Sequence, residues 1–282
     1  MSDIAKTWFI TGASSGFGHA FAAHALARGY NVVATARDPS KLRDLADRAP
    51  ERVLVLRLDV DQAGDAKAAI DAAVARFGRI DVLINNAGYG VVGALEETPE
   101  AELRSIMETN FFGAISTIQA ALPVLRAQRS GAIVNISSLG GQLSFAGFSA
   151  YSASKFALEG ASEALAEELA GFGVKVLIVE PGQFRTNLAG ASMRHMPIMD
   201  VYADVMGATR SFAHSMHHTQ DGDPRKAAEA IERALEAETT PLRLQLGADA
   251  VEAVRAHSER LLADMAEWES VATATGFTAC VK

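Results

Sequence analysis

The sequence predicts an α/β protein with a doubly wound, parallel, seven-stranded sheet. Seven short apolar runs recur along the chain, and a helical pattern follows most of them. The runs lack strict alternation, which is typical of strands that flanking helices bury on both faces. Strands that alternate with helices in this way indicate a doubly wound sheet. The predicted strands span residues 7–11, 31–36, 53–59, 81–86, 131–137, 174–180 and 242–247.

The whole chain, 1–282, is predicted to be one domain, because no Pro/Ser linker, internal repeat or low-complexity tract divides it. Its core is expected within residues 1–190. Residues 190–220 are rich in Met and His and interrupt the strand–helix rhythm, so we expect a helical lid there, near a substrate site. Residues 222–282 are expected to form a helix, the seventh strand and a last helix at about 248–268.

Composition excludes several classes of function. The net charge of −8 argues against a nucleic-acid partner, which would need a basic face. No apolar run reaches the roughly 18 residues that a membrane helix needs. The single cysteine, Cys280, cannot form an internal disulfide or anchor a structural zinc site. Only about six residues precede the first strand, too few for a signal peptide, so a cytoplasmic protein is expected.

A glycine-rich turn follows the first predicted strand. The segment TGASSGFG carries Gly12, Gly16 and Gly18, and residues without a Cβ allow the backbone to approach a phosphate closely. The helix that follows would direct free N–H groups at the anion. A plain strand–helix turn is the alternative, but the motif follows an apolar strand and opens a helix at the start of the alternating pattern. The turn therefore predicts a dinucleotide site.

The TGxxxGxG spacing resembles the cofactor turn of the short-chain dehydrogenase/reductase family. Four further motifs follow in the family's order: NNAG at 85–88, NISS at 135–138, YSASK at 151–155 and PGQFRT at 181–186. Together the motifs span about two thirds of the chain. The resemblance implies a Rossmann-type fold and an NAD(P)-dependent oxidoreductase that acts on alcohols or carbonyls. Its chemistry needs no metal.

The same resemblance implies which residues bind the cofactor. Asp59, after the third strand, resembles the family's adenine-contacting acid, although it could instead cap a helix at 62–77. The motifs supply most of the other positions. The implied cofactor-binding residues are Gly12, Ser14, Ser15, Gly16, Phe17, Gly18, Arg37, Asp59, Val60, Asn86, Ala87, Gly88, Tyr151, Lys155, Pro181, Gly182, Phe184 and Thr186.

The end of the second strand predicts NADP(H) in preference to NAD(H). In NAD-preferring relatives of the family an acid binds the free 2′-hydroxyl at the position of Ala36, and it would repel a 2′-phosphate. Here that position is apolar, and Arg37 next to it can pair with the phosphate. The alternative is a solvated arginine whose charge Asp38 neutralises.

Tyr151 and Lys155 are predicted to form an acid/base pair. Hydride transfer to a carbonyl leaves an oxyanion that the protein must protonate. A free tyrosine has a pKa of about 10, too high for ready proton exchange near neutrality. Residues four apart on a helix have Cβ atoms only ~5–6 Å apart. Two unit charges ~4 Å apart interact by about 4 kcal/mol at an effective dielectric near 20, so Lys155 is expected to lower the tyrosine's pKa by about three units.

The resemblance assigns roles to four residues. Tyr151 matches the acid/base, and Lys155 matches the residue that lowers its pKa and holds the nicotinamide ribose. Ser138 matches the hydroxyl that orients the substrate oxygen. Asn110 matches the asparagine that positions a water for a proton relay. Each residue alone has an ordinary alternative: a helix kink for Asn110, a turn for Ser138 and a surface aromatic for Tyr151.

The substrate is expected to be an apolar ketone or aldehyde, such as a hydroxysteroid-like, retinoid-like or aromatic compound. Methionines suit adaptable apolar pockets, but they are as often part of a core. Four histidines could suggest a metal site, although a polar lid face is the simpler interpretation. The predicted substrate residues are Ser138, Leu139, Phe145, Phe148, Tyr151 and Met193, with Phe184, Met196, Met199 and Met206 as further candidates. The histidines are His195, His214, His217 and His218.

Two further expectations concern partners and class. The helix after Tyr151 carries small residues that permit close packing, and the resemblance implies a homodimer or homotetramer through this helix. A non-catalytic NADPH-binding regulatory protein on the same fold is the alternative to an enzyme, but such proteins usually lack the tyrosine or the lysine. The small residues are Ala153, Ala157, Gly160, Ala161 and Ala164.

Overall fold

The computed structural model describes residues 5–216 and 219–277. Within these ranges, seven parallel strands form one sheet in the order β3-β2-β1-β4-β6-β7-β9, and two short strands, β5 and β8, pair separately. The doubly wound parallel sheet is thus confirmed, and the predicted strand ends differ from the observed ones by at most two residues. The strands are β1 (Thr7–Ile10), β2 (Asn31–Ala36), β3 (Val53–Arg57), β4 (Val82–Asn85), β5 (Gly90–Val92), β6 (Ala132–Ile136), β7 (Lys175–Pro181), β8 (Met193–His195) and β9 (Arg243–Leu246).

Helices cover both faces of the main sheet. A π-helical turn at Glu108–Phe112 joins two of them. The helices are α1 (Gly16–Ala27), α2 (Arg43–Arg48), α3 (Asp65–Phe77), α4 (Glu100–Met107), α5 (Gly113–Gln128), α6 (Ser149–Leu169), α7 (Ala203–Ser215), α8 (Pro224–Glu236) and α9 (Ala248–Thr273).

The strand β1 divides its side chains between two cores. Trp8 and Ile10 pack with α1 and α8, whereas Phe9 points to the opposite face and packs with α3 and α5. Successive side chains of a strand point to opposite faces, so an all-apolar run is needed where both faces are covered. This arrangement explains why the strands read as continuous apolar runs.

The two-stranded sheet of β5 and β8 is absent from the predictions. Gly90 pairs with Met193 and Val92 with His195, which draws the segment after β7 back across the end of the main sheet. Helix α7 then packs Met206 and Ala213 against Val92. Strands of three residues carry too little pattern to be recognised, and the two partners lie about 100 residues apart.

Helix α9 is longer than predicted and projects from the body of the protein. It runs to Thr273, beyond the predicted end at about 268, and its first turns contact β9 and the turn after β6. Ala250 is buried, whereas every residue from Ser258 to Phe277 is exposed. None of the helices in the described ranges has an apolar stretch long enough to cross a bilayer.

Candidate active site

A cleft of about 330 Å³ opens at the carboxyl ends of the central strands. It extends from Arg37 and Asp59 at one end to Ser138 and Tyr151 at the other. The cleft crosses the point where the strand order reverses, between β1 and β4. Open α/β sheets bind ligands at such a switch point.

The glycine turn forms a cradle beside the start of α1. Gly12 and Gly16 have positive φ angles of 66° and 54°, a conformation that favours glycine. A Cβ on Gly18 would collide with the Gly12 carbonyl and approach the Asn86 amide nitrogen to 2.6 Å. Gly18 therefore packs behind the cleft and keeps the turn tight. Ser15, at the N-cap of α1, makes no side-chain cap, so the first helical N–H groups stay available for an anion.

Thr11 joins the glycine turn to the NNAG loop. Its hydroxyl oxygen accepts from the backbone N–H of Asn86 at 2.9 Å and of Ala87 at 3.0 Å. The Asn86 side chain donates in return to the carbonyls of Thr11 and Gly12, at 2.9 and 3.1 Å. These bonds hold the ends of β1 and β4 at a fixed distance. The result is a preformed wall on which a flat nucleoside can rest.

Arg37 lies exposed at the rim of the cleft, next to the buried Ala36. The Asp38 carboxylate accepts from the backbone N–H of Ser40 at 3.0 Å and from its hydroxyl at 2.7 Å, which lowers the pKa of Asp38. Within the described ranges Arg37 makes no ion pair. Its charge therefore remains available to a ligand. Asp59 also lines the cleft, and it does not cap α3, whose N-cap is Gly64.

The four predicted catalytic residues surround two glycines. A Cβ on Gly88 would lie 2.9 Å from the side-chain oxygen of Asn110 and 3.8 Å from the ammonium of Lys155. A Cβ on Gly140 would lie 3.4 Å from both the Ser138 hydroxyl and the Tyr151 ring. Glycine at both positions thus lets the four side chains approach one another.

Asn110 is held rigidly in the π-helical turn. Its side-chain N–H₂ donates to the Tyr89 carbonyl and to the Ser154 hydroxyl, both at 3.0 Å. Its side-chain oxygen accepts from the Tyr89 N–H at 3.0 Å. The residue lies in the irregular turn between α4 and α5 and also near Lys155, so the helix-kink interpretation and the site interpretation describe the same position.

Tyr151 and Lys155 lie on the first two turns of α6, but the expected electrostatic effect is not found. Burial is the main influence on the Tyr151 phenol and raises its pKa, and a hydrogen bond with Ser138 opposes this in part. Burial lowers the pKa of Lys155 to about 8, with the Glu159 carboxylate opposing the shift. The prediction that Lys155 lowers the tyrosine's pKa was wrong for the protein alone, because burial of the phenol raises its pKa.

A buried acidic cluster lies one helical turn beyond Lys155. Glu159 of α6 and Glu180 of β7 both contact the side-chain N–H₂ of Gln142, at 3.1 Å each. Arg243 of β9 donates to Glu159 at 3.0 Å, and Gln245 donates to Glu180 at 2.7 Å. Burial and the neighbouring Glu159 raise the pKa of Glu180 to about 7. No sequence pattern indicates this cluster, since its members come from four separate segments.

Two of the predicted substrate residues, Ser138 and Tyr151, line the cleft, and the other four do not. Phe145 is 53% exposed. Phe148 and Met193 pack against the two-stranded sheet under α7, and Leu139 begins the turn after β6. The aromatic and methionine side chains are used for packing the β5–β8 layer, which the predictions lacked.

The other residues predicted for the pocket or for a metal site also lie partly in the core and partly at the surface. Met196 and Met206 are buried in the core and Met199 is exposed, whereas Phe184 lines the cleft. His195 and His214 stack with ring centroids 4.4 Å apart. His217, His218 and Cys280 lie outside the described residues. Among the residues that are described, no group of three His, Cys, Asp or Glu side chains could hold a metal ion.

The cleft also has a polar wall that the predictions missed. The Tyr89 hydroxyl donates to Glu102 at 2.9 Å, and Arg194 pairs with Glu102 at the same distance. The Arg194 guanidinium lies 4.1 Å from the centre of the Tyr89 ring. Tyr89 directly follows the NNAG motif and could have been proposed. Arg194 reaches the cleft only because Val91 pairs with it in the two-stranded sheet.

Comparison with known proteins identifies the family. The sequence pattern of the family described as short chain dehydrogenase matches residues 6–197. The chain belongs to the short-chain dehydrogenase/reductase family. A crystal structure of a short-chain dehydrogenase from Streptomyces avermitilis is 49% identical with a TM-score of 0.92, covering 98% of this chain and 100% of that one.

Two further relatives indicate the type of reaction and cofactor. A short-chain dehydrogenase/reductase from Burkholderia phymatum, solved in complex with NAD, is 25% identical with a TM-score of 0.82, covering 94% of this chain and 97% of that one. The 3-ketodihydrosphingosine reductase of Bacteroides thetaiotaomicron is 38% identical over 243 residues, covering 84% of this chain and 86% of that protein. The chain is therefore an oxidoreductase of the NAD(P)-dependent type.

Proposed function

We propose that this protein transfers hydride between NADP(H) and the carbonyl or alcohol group of an apolar compound. The observation that carries the proposal is the convergence of Asn110, Ser138, Tyr151 and Lys155 around Gly88 and Gly140, beside the glycine cradle. The cradle fits the dinucleotide, because Gly12 and Gly16 line it without a Cβ and the first turn of α1 carries no side-chain cap. When bound, the dinucleotide supplies or accepts the hydride.

Tyr151 acts as the proton donor in the reducing direction. Its raised pKa keeps the phenol protonated at neutral pH, so a proton is held where a carbonyl oxygen gains negative charge. Ser138 holds the same oxygen through its hydroxyl, which lies with the Tyr151 ring beside Gly140. The hydroxyl and the phenol together orient the substrate and stabilise the developing oxyanion.

Lys155 holds the nicotinamide ribose and connects Tyr151 to solvent. In the protein alone its ammonium donates to the Ile136 carbonyl at 2.8 Å, so the positive charge stays beside the tyrosine. Asn110 lies close by with its side-chain oxygen near Gly88, where a water could bridge it to the lysine. These two residues position the Tyr151 phenol and return a proton to it after each turnover.

Preference for NADP(H) is part of the proposal, and Arg37 supports it. Arg37 lines the cleft, Ala36 offers no carboxylate, and Asp38 is bound to Ser40. The Arg37 guanidinium would pair with the 2′-phosphate, a group that arginine binds well.

The substrate class is inferred from the open end of the cleft. Leu188 and Met216 give that end apolar surface, while Tyr89 and Arg194 add a polar wall. An apolar ketone or aldehyde with one polar group fits both surfaces. The Bacteroides relative is named for a keto compound, which agrees with a ketone. Steroid-like, retinoid-like and aromatic carbonyls remain the compounds to test.

Three further features of the proposal follow from the sequence. The predicted lid at residues 190–220 is part of the proposal, and it is supported by the pairing of β8 with β5 and by Arg194 and Met216, which line the cleft. The chain forms a homodimer or homotetramer through α6, where Gly160 has no neighbouring atom within 4 Å of its Cβ position among the described residues. A cytoplasmic location stays a prediction from the sequence.

The test is loss of NADPH absorbance with a panel of aldehydes, ketones and steroids, repeated with alcohols and NADP⁺. Tyr151→Phe should remove turnover and leave NADPH binding intact, because only the proton donor is lost. Ser138→Ala should lower kcat by about 10²–10³-fold, the usual effect of one oxyanion donor. NADPH binding without turnover of any compound, unaltered by Tyr151→Phe, would instead support a regulatory protein.

A further inference from the structure

Helix α9 carries an apolar seam with no partner in the described parts of the chain. Apolar or small residues recur at alternating spacings of three and four, the pattern of a two-stranded coiled coil. Met265 and Trp268, in the middle of the projecting part, are 68% and 61% exposed. The α9 seam consists of Val251, Val254, Ser258, Leu261, Met265, Trp268 and Ala272.

The exposure of this seam is not explained by the fold or by the cleft. The residues from Ser258 to Phe277 are all exposed, and none of them lines the cleft. Helices in proteins owe most of their stability to packing of an apolar face, and the apolar face of this part of α9 is exposed. Exposed apolar clusters of this kind mark interaction sites.

We propose that the α9 seam pairs with the α9 seam of a second copy of this chain, with the two helices antiparallel. The charges beside the seam support self-pairing in this direction. Arg255, Leu262 and Glu269 occupy the same flanking position in three successive heptads. In an antiparallel pair these positions face their own equivalents, so Arg255 faces the partner's Glu269, Leu262 meets the partner's Leu262, and Glu269 faces the partner's Arg255.

The parallel arrangement is disfavoured by the same residues. A parallel pair would set Asp264 against the partner's Glu269 on both sides of the seam, with no opposite charges to compensate. The antiparallel pair has one unfavourable contact, between the two copies of Asp264 near the symmetry axis. Two attractive pairs against one repulsive pair favour the antiparallel form.

A membrane surface suits this helix less well. Helices that lie on membranes carry Lys and Arg on the polar face, which anionic lipids attract. Helix α9 carries six acidic residues against two arginines. A second copy, whose flanking charges complement its own, is the better partner.

The mass of the full-length protein in solution tests the pairing. Sedimentation should show an assembly, and the double variant Met265→Glu with Trp268→Glu should halve its mass. Ala263→Glu with Ala266→Glu places the same charges on the outer face of the helix and should leave the mass unchanged. Far-UV circular dichroism and NADPH binding verify that each variant is folded. A single-chain mass for the wild type, or equal masses for wild type and seam variant, overturns the proposal.

Charge reversal and crosslinking test the direction. Arg255→Glu alone and Glu269→Arg alone should each weaken association by about tenfold, and the two together should restore it. Leu262→Cys, in a background with Cys280→Ser, should form a disulfide-linked dimer on oxidation. Failure of the double reversal to restore association, or no crosslink in Leu262→Cys, excludes the antiparallel pair. Binding of a monomeric chain to lipid vesicles would identify a membrane as the partner instead.

Discussion

The ammonium of Lys155 lies 5.8 Å from the centre of the Tyr151 ring and donates to the Ile136 carbonyl at 2.8 Å. The lysine is only 6% exposed, so its charge is kept in a place where water cannot solvate it well. The protein alone therefore holds a protonated phenol beside a destabilised ammonium. This pair is prepared for proton transfer at the expense of stability, as is common at active sites.

Lys155→Met should stabilise the protein and abolish turnover. Burial lowers the lysine's pKa to about 8 from 10.5, so at pH 7 the folded state carries a penalised charge. The variant should gain on the order of 1–3 kcal/mol in the free energy of unfolding at pH 7, less what the unpaired Ile136 carbonyl removes. Because the unfolded chain binds the extra proton between pH 8 and 10.5, the gain should vanish as pH rises through that window.

Urea unfolding at pH 7 and pH 10 measures the effect. Lys67→Met, at an exposed position of α3, is the matched control and should change the free energy of unfolding by less than about 0.5 kcal/mol. A destabilised Lys155→Met at pH 7 would show that the lysine's desolvation is compensated in the folded protein.

Glu180→Gln should flatten the pH dependence of stability between pH 5 and 8. The folded-state pKa of Glu180 is raised to about 7 from 4.5, so its stabilising effect is complete below pH 4.5 and is lost as pH rises through 7. The variant removes this loss, on the order of 1–3 kcal/mol, because glutamine stays neutral. Its amide can bond Gln142 and Gln245 if one of their side chains turns over.

Thermal or urea unfolding across this pH range checks the effect. Glu163→Gln, the exposed partner of Arg243, serves as the control and should keep the wild-type slope. Parallel pH profiles for wild type and Glu180→Gln would mean that the carboxyl pair is ionised throughout.

Arg37→Asp should reverse the cofactor preference. Loss of a charge-assisted contact with the 2′-phosphate, together with the new repulsion, should weaken NADPH binding by about 10–100-fold and leave NADH binding nearly unchanged. Asp38→Asn is the control, because that carboxylate is bound to Ser40. Fluorescence titration measures the dissociation constants of NADPH and NADH for each variant. Equal NADPH affinity in Arg37→Asp and wild type would refute the role of Arg37 in binding the 2′-phosphate.

Gly88→Ala should reduce activity far more than stability. Its Cβ would lie 2.9 Å from the Asn110 side-chain oxygen, so either the loop or the asparagine must move next to Lys155. A displacement of about 1 Å at a catalytic group lowers kcat by about 10²-fold. Gly171→Ala, where the Cβ meets no described atom within 4 Å, should keep the wild-type kcat. Steady-state kinetics give the kcat of both variants. A wild-type kcat for Gly88→Ala would show that the site tolerates the displacement.

The sequence predicted what depends on local pattern. The apolar runs identified the main strands, and the glycine spacing located the turn beside α1. Arg194 escaped prediction because it enters the cleft through pairing with Val91, about 100 residues earlier in the chain. The direction of the Tyr151 pKa shift could not be predicted for a different reason. Desolvation depends on every atom packed around the phenol, and spacing along a helix carries no information on that packing.

The methionines and phenylalanines show a second limit. Composition marked Phe148, Met193 and Met206 as apolar, and a pocket and a core need the same residue types. The β5–β8 layer uses all three for packing. Only the tertiary arrangement distinguishes a residue that faces a ligand from one that faces its own chain.

The hydrogen bonds from Asn86 and Ala87 to Thr11 also constrain how the protein is made. The glycine turn emerges from the ribosome about 75 residues before the loop that fixes it. A nascent chain that ends before β4 therefore lacks one wall of the nucleotide cradle, and β1 lacks one of its two neighbours. The dinucleotide cannot template the early stages of folding. It can only stabilise the completed sheet, through mass action on the native state.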